Sequence, residues 1–198
     1  MIKFNNLSSE APFQIFKDKY SEALKNGQKN IEAASISSFN KEKNEVDSRF
    51  VNIKFINDKE FIFFTNYHSL KSASFKTHNQ ISALFFWDAT NTQIRIKGFI
   101  KKTSKEFNQS YFEERSKNKN ALAISSNQSK TIRDYDDVVK KFNKVKNEEN
   151  LSICPDYWGG YAFNVCEIEF WKGNNFRLNK RELYKNIDNE WAYSTLQP

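Results

Sequence analysis

Apolar side chains recur every three or four positions near the start of the chain, which is the spacing of one helical face. The series ends at Gly27, a residue type that often terminates helices. We therefore expect an amphipathic helix over Ala11–Gly27. Its apolar face comprises Phe13, Phe16, Tyr20 and Leu24.

After this helix, apolar and polar residues alternate in short runs, as in strands with one buried face. The polar segment Asn40–Asn44 indicates a turn after the first run, and Asn57 and Asp58 separate the second run from the third. The predicted strands are Ile31–Phe39, Arg49–Ile56, Glu60–Thr65, Gln80–Trp87, Gln93–Lys101, Tyr161–Trp171, Asn175–Asn179 and Trp191–Thr195.

Helices are expected between some of these strands. A short helix follows Ser69, and a polar helix covers Asp134–Glu148. Another begins at Thr103, which with Glu106 resembles a capping box, and continues to about Arg115. Short strands at hairpin spacing with inserted helices predict an α+β, mainly β chain, an antiparallel barrel or sandwich with peripheral helices.

Composition is typical of a packed globular chain, because 38% of the 198 residues are hydrophobic and 19 are Phe. This is enough to form a core without disulfides, and we expect one domain over residues 1–198. Cys154 and Cys166 match no metal-ligand or redox spacing, so we interpret them as unpaired thiols in a reducing compartment. No membrane span or signal peptide is evident, and a soluble, cytoplasmic protein is expected.

The formal net charge of +7 raises the possibility of nucleic-acid binding. The lysines are spread along the chain and interleaved with acids, and no nucleic-acid-binding motif is present. We therefore expect no nucleic-acid partner. A basic surface attracts small phosphorylated ligands equally well.

Two local patterns are compatible with anion binding. Ser69 is a predicted helix N-cap with Lys71 in the first turn, where free amides and the helix dipole stabilise an anion. Tyr111 and Arg115 stand four residues apart on one helical face, where a phenol and a guanidinium can reach one phosphate. An ordinary capped helix and a Tyr–Arg pair at the core edge explain the same residues. No P-loop, dinucleotide-binding glycine pattern or metal-binding cluster is present.

A longer series of landmarks resembles the pyridoxamine 5′-phosphate oxidase family, from about Ile31 to Pro198. No single landmark is decisive, and the order and spacing of the series carry the resemblance. The landmarks are Arg49–Lys54, Phe63–Asn66, Ser69–Lys71, Gln93–Arg95, Tyr111–Arg115, Gln128–Ser129, Trp158–Tyr161, Ile168–Gly173, Arg177–Arg181 and the closing Gln197–Pro198.

The resemblance implies an FMN-binding split β-barrel that forms a homodimer with FMN at the subunit interface. It implies oxidation of pyridoxamine or pyridoxine 5′-phosphate to pyridoxal 5′-phosphate by hydride transfer, with O₂ as acceptor and H₂O₂ as product. The implied FMN-binding residues are Arg49, Lys54, Phe64, Thr65, Lys71, Gln93, Gln128, Ser129, Trp171 and Arg181. The implied substrate-binding residues are Lys54, Tyr111, Arg115, Lys119, Arg177 and Asn179, with Arg177 as the catalytic residue at the pyridine ring.

Strand parity agrees with this assignment only in part. In an extended segment Arg177, Asn179 and Arg181 share one face. Arg49 and Lys54 differ in parity, and one flat strand would point them to opposite faces. A bulge, or a cofactor wedged between subunits, would reconcile them.

Three residues depart from the family pattern. Leu70 stands where a second phosphate-binding arginine is usual, Lys119 where a serine is usual, and Asn179 where a histidine is usual. Rival interpretations are therefore a flavin oxidase acting on another ring, such as a phenazine-type oxidase, and a non-catalytic FMN or pyridoxal-phosphate binding protein. Retention of Tyr111 and Arg115 argues against an unphosphorylated substrate.

Overall fold

The computed structural model describes all 198 residues of the chain. The helices are α1 (Ala11–Lys25), α2 (Leu70–Thr77), α3 (Lys105–Glu114), α4 (Lys117–Ser125) and α5 (Tyr135–Glu148). The strands are β1 (Lys3–Asn5), β2 (Ala33–Asn40), β3 (Glu45–Asn52), β4 (Phe55–Asn57), β5 (Glu60–Asn66), β6 (Gln80–Trp87), β7 (Thr92–Lys102), β8 (Trp158–Lys172), β9 (Lys180–Ile187) and β10 (Glu190–Leu196). The prediction of a mainly β chain with peripheral helices is confirmed.

All ten strands belong to one sheet, in the order β1-β4-β5-β8-β7-β6-β2-β3, with the β9–β10 hairpin attached to β8. Every pairing is antiparallel except that of β1 with β4. The 15-residue β8 is central, because its start pairs with β5, its end pairs with β9, and β7 runs along most of its length. Two distant parts of the sheet are thus joined by a single strand.

The helix α1 closes the core, as its apolar periodicity predicts. Phe13 and Phe16 are fully buried, and Phe16 lies edge-on against Phe61, Phe85 and Trp87, with ring centroids 5.0, 5.4 and 5.6 Å away. Burying one such phenyl ring contributes about 1.5–3 kcal/mol. The prediction of the buried face was wrong only at the end of the helix, where Leu24 is exposed.

One predicted helix start is corrected. The N-cap of α3 is Ser104, whose hydroxyl accepts from the Phe107 amide, and not Thr103. Thr103 Oγ1 instead donates to Asn108 Oδ1 at 2.6 Å. The short helix after Ser69 is confirmed, with Ser69 as its N-cap. The helix α4 and the strands β1 and β9 were not predicted.

No helix of the chain is both long and apolar enough to cross a lipid bilayer. Cys154 and Cys166 are both free thiols. Burial raises the pKa of the Cys154 thiol to about 11, which keeps it protonated near neutral pH.

Candidate functional site

A cavity of about 540 Å³ opens where β3, the end of β5 and the start of α2 face α3 and α4. We call it the anion cavity. Ten residues implied by the family resemblance line it, namely Arg49, Lys54, Phe64, Thr65, Lys71, Tyr111, Arg115, Lys119, Gln128 and Ser129. Its other lining residues are Asp47, Ser48, Phe50, Val51, Asn52, Leu70 and Trp158.

Arg49 and Lys54 both reach the cavity because the predicted strand through them is broken. β3 ends at Asn52 and β4 begins at Phe55. Between them the Lys54 amide donates to the Ile62 carbonyl of β5 at 2.8 Å. The change of direction lets both cations face one space, so the prediction of a single continuous strand over Arg49–Ile56 is wrong.

Lys71, in the first turn of α2, is only 7% exposed. Its Nζ donates to Thr65 Oγ1 at 3.1 Å and to Ser69 Oγ at 3.3 Å, and no carboxylate pairs with it. Burial, followed by repulsion from Arg49, lowers the pKa of this ammonium to about 8. A buried cation without a paired acid is stabilised by an anionic ligand, and the N-terminus of α2 adds free amides at the same place.

Arg49 is held by several partners on β2 and β3. It forms an ion pair with Asp47 and donates to Ser38 Oγ at 2.8 Å and to the Ile36 carbonyl at 3.2 Å. Asp47 is the one carboxylate among the lining residues, against the five cations Arg49, Lys54, Lys71, Arg115 and Lys119. Lys54 also pairs with Glu32, which does not line the cavity, at 3.4 Å. The excess of positive charge that remains suits ligands that carry more than one anionic group.

Tyr111 in α3 and Arg115, the C-cap of that helix, converge on the cavity, as their four-residue spacing predicts. Tyr111 stacks on Phe64 with ring centroids 3.9 Å apart. Burial raises the pKa of the Tyr111 phenol and lowers that of the Arg115 guanidinium. Arg115 Nη2 donates to the Lys119 carbonyl at 3.2 Å, while Nη1 is buried with no partner. Such an orphaned buried donor fits a phosphate oxygen.

Asp47 and Trp158 line the cavity but were not predicted as site residues. For Asp47 the available signal was its place two residues before Arg49, because side chains two positions apart on a strand share one face and can pair. For Trp158 a signal was available, because Gly159 and Gly160 follow it at the start of a strand. Consecutive glycines there indicate a close approach of other atoms to the backbone.

The other five predicted residues lie elsewhere, and we call them the distal group. Gln93 pairs with Trp171 across β7 and β8, and Trp171 pairs with Arg181 across β8 and β9. Arg181 donates to the buried carboxylate of Glu169 at 2.8 Å. The distal group is Gln93, Trp171, Arg177, Asn179 and Arg181, and none of its members lines the anion cavity.

Arg177 and Asn179 lie in a turn rather than in the predicted strand Asn175–Asn179. Phe176 and Arg177 have left-handed φ values of 57° and 61°, and the Asn179 amide donates back to the Arg177 carbonyl at 2.8 Å. Left-handed backbone ends an extended run. The strand prediction, and the shared parity inferred from it, are therefore wrong.

Comparison of the chain with known protein families gives two matches. A model described as "Pyridoxamine 5'-phosphate oxidase" matches residues 17–148, and one described as "Pyridoxine 5'-phosphate oxidase C-terminal dimerisation region" matches residues 158–198. The first range holds all of the anion cavity except Trp158. The second holds the distal group except Gln93.

Known proteins resemble the chain over nearly its whole length. "Pyridoxine/pyridoxamine 5'-phosphate oxidase 1" of Hydrogenovibrio crunogenus is 34% identical over an alignment of 192 residues, and the alignment covers 94% of this chain and 88% of that protein. The structure of PhzG from Burkholderia lata 383, in complex with tetrahydrophenazine-1-carboxylic acid, has a TM-score of 0.88 at 24% identity and covers 94% of this chain and 92% of its own.

A second solved structure is more distant in sequence. A pyridoxamine 5′-phosphate oxidase-related, FMN binding protein from Nostoc punctiforme PCC 73102 has a TM-score of 0.79 at 13% identity, with 96% of this chain and 99% of that chain covered. Both structural likenesses confirm the predicted split-barrel fold.

Proposed function

This chain belongs to the pyridoxamine 5′-phosphate oxidase family, and from that premise we propose that it is an FMN-dependent oxidase. It converts pyridoxamine or pyridoxine 5′-phosphate to pyridoxal 5′-phosphate, with O₂ as acceptor and H₂O₂ as product. The observation that carries the proposal is the anion cavity, in which five cations face one carboxylate. Two phosphate groups, each with a charge of about −1.5 to −2 near neutral pH, would balance that excess.

The FMN phosphate fits the end of the cavity formed by Arg49 and Lys71, with Thr65 and Ser129 as neutral partners. Lys71 has no acidic partner there, and the N-terminus of α2 contributes amides. Leu70, which is 57% exposed, offers no charged hydrogen bond where the family usually has an arginine. One such bond is worth about 1.5–3 kcal/mol, so FMN binding is weaker than with an arginine at this position.

The substrate phosphate fits the other end. The orphaned Nη1 of Arg115 and the Tyr111 hydroxyl can donate to it, and Lys54 and Lys119 add charge. This arrangement favours phosphorylated substrates, because a site built for an anion rejects a ligand that lacks one. When bound, FMN supplies the two-electron chemistry, accepting a hydride from the substrate and passing the electrons to O₂.

The distal group contacts the ring systems in this proposal, and it comes from a second copy of the chain. Trp158 in the cavity and Trp171 in the distal group stand at the two ends of β8, 13 positions apart. That is roughly 40 Å along an extended strand at about 3.3 Å per residue. The C-terminal match to a dimerisation region supports a homodimer. We also propose that residues 1–198 act as one cytoplasmic domain.

The experiment is an oxidase assay on the purified protein with both phosphorylated vitamers and with unphosphorylated pyridoxine, followed by peroxide release. We expect a yellow dimer with about one FMN per chain that turns over only the phosphorylated substrates. Equal turnover of unphosphorylated pyridoxine would refute the phosphate assignment. Turnover of a reduced phenazine carboxylate, and of neither phosphorylated vitamer, would favour the phenazine-type alternative. This substrate is included because the fold resembles that of PhzG.

A further inference from the structure

Trp158, the first residue of β8, forms a wall of the anion cavity and is only 6% exposed. Its indole lies nearly parallel to the ring of Phe64, at 5.2 Å and 13°. The ring of Tyr111 stacks on the same phenyl group at 3.9 Å. Phe112 packs edge-on against the indole at 5.1 Å. The indole is therefore held in one orientation by aromatic neighbours.

The Arg115 guanidinium lies over the Trp158 ring, with Cζ 4.3 Å from the ring centroid. It is 5.4 Å from the ring of Phe112. Arg115 forms no ion pair with a carboxylate, and its one hydrogen bond, from Nη2, goes to the Lys119 carbonyl. An aromatic face attracts a guanidinium without neutralising it. The charge and the Nη1 donor of Arg115 thus stay available to a ligand.

The backbone around Trp158 is fixed by an unusually close approach. A Cβ on Gly159 would collide with the side chains of Tyr67 and Asn108. Asn108 Oδ1 accepts from the Gly160 amide at 2.8 Å, and the Tyr67 hydroxyl donates to the Gly160 carbonyl at 3.0 Å. The two glycines let β8 sit against this pair, which fixes where the indole lies.

We propose that Trp158 is a positioning residue for substrate binding, and that its indole face aligns the Arg115 guanidinium with the substrate phosphate. The proposal rests on the proposed function, because it takes Arg115 as a ligand of that phosphate. A carboxylate would align Arg115 equally well, but it would cancel the charge that the phosphate needs. The indole aligns the guanidinium and leaves its charge free.

The test compares Trp158→Leu and Trp158→Phe with the wild type, all loaded with FMN. We expect Trp158→Leu to raise KM for pyridoxine 5′-phosphate roughly 3- to 30-fold, the range of a partly desolvated cation–π contact. The value of kcat should change less than twofold, and Trp158→Phe should recover part of the loss in KM. Trp191→Leu is the matched control, because this partly buried indole packs against Phe13, away from the cavity, and its KM should equal that of the wild type.

A double-mutant cycle separates positioning from a general structural effect. In the Arg115→Ala background, Trp158→Leu should add less than twofold to KM, because the group it positions is gone. An equal cost in both backgrounds would overturn the proposal, as would an unchanged KM in Trp158→Leu. If Trp158→Leu does not fold, the same cycle is run with Trp158→Phe.

Failure of the proposed function is visible in the wild type alone, as absence of turnover with both phosphorylated vitamers. In that case, titration of the FMN-loaded protein with inorganic phosphate still decides the role of Trp158. Weaker phosphate binding in Trp158→Leu, with no further weakening in the Arg115→Ala background, supports the proposal. Equal binding by wild type and Trp158→Leu overturns it.

Discussion

The anion cavity and the distal group contain similar side chains, yet one is enclosed by its own chain and the other is open. In the cavity, Lys71 is 7% exposed and hydrogen-bonded on two sides. In the distal group, Arg177 lies in an exposed turn, next to Phe176, which is 94% exposed. One chain thus encloses the cavity proposed to bind the phosphates, and it leaves exposed the turn proposed to contact the substrate ring.

In the proposed dimer, this difference determines which part of the site would depend on assembly. Lys71 and Arg115 are largely desolvated already in the single chain, so they attract phosphate strongly there. The arginine in the open turn remains hydrated and gains strength only when another surface excludes water from it. We therefore expect variants of the distal group to affect catalysis, and variants of the cavity to affect binding.

Arg177→Ala should have the largest effect. Without this guanidinium the substrate ring is not oriented at the flavin, and misplacement of a reacting group costs about 100-fold in rate. We expect kcat/KM to fall by at least that factor while FMN content, measured by absorbance of the released cofactor, is unchanged. Wild-type activity in Arg177→Ala would show that the substrate has been placed wrongly.

Arg115→Ala should act on binding instead. Losing charged hydrogen bonds worth about 1.5–3 kcal/mol raises KM for pyridoxine 5′-phosphate roughly 10- to 100-fold. The value of kcat and the FMN content should change little. Arg133→Ala removes an exposed arginine outside the cavity and should match the wild type. A fall in kcat with constant KM in Arg115→Ala would contradict the division between the two regions.

FMN retention should weaken with rising pH because of Lys71, whose pKa is about 8 without ligand. Binding a phosphate requires the ammonium form, so above about pH 8 binding takes up a proton. Affinity then falls by up to about tenfold per pH unit. Fluorescence titration with FMN from pH 7 to 9.5 measures this. Lys71→Arg, which stays charged throughout, should bind FMN without that dependence, and an equal slope in both proteins would exclude Lys71 as its cause.

The same pKa shift has the opposite sign for stability of the unliganded chain. Between the folded pKa of about 8 and the ordinary value of 10.5, the unfolded state binds more protons. The free energy of unfolding therefore rises with pH in that window, as far as Lys71 contributes.

Asn179→His should have the smallest effect. One neutral hydrogen bond is worth about 0.5–1.5 kcal/mol, so kcat/KM should stay within roughly tenfold of the wild type. Steady-state assays of both proteins with pyridoxine 5′-phosphate measure it. If the wild type does not turn over pyridoxine 5′-phosphate and Asn179→His does, the natural protein is a binding protein or an oxidase that acts on a different ring substrate.

Sequence predicted the cavity better than the distal group for a physical reason. Tyr111 and Arg115 share a face through helical spacing alone, and Lys71 follows its N-cap by two residues. Local rules therefore place these residues, and the family resemblance assigns them to one site. The break between β3 and β4 depends on hydrogen bonds from other strands, such as that of the Lys54 amide to Ile62. Sequence spacing could therefore show that one flat strand would point Arg49 and Lys54 to opposite faces. It could not show that the strand is interrupted between them.

The structure of the C-terminal part of the chain was harder to predict from local sequence rules. β9 is rich in charged residues and forms because it pairs with β8 and β10. The turn before it contains Phe176 in a left-handed conformation, which side chains of this size rarely adopt. Alternation of residue types predicted an extended run there, and only the structure shows where it stops.

Complementation between two variants that are each impaired at low substrate concentration, one in binding and one in catalysis, tests most directly the claim that the site is shared by two copies of the chain. Arg115→Ala and Arg177→Ala are unfolded together, refolded as a mixture and assayed at low substrate concentration. If the cavity of one copy works with the distal group of the other, each mixed dimer has one intact site, and random pairing restores about a quarter of wild-type activity. Activity no higher than the mean of the two variants would contradict the shared site.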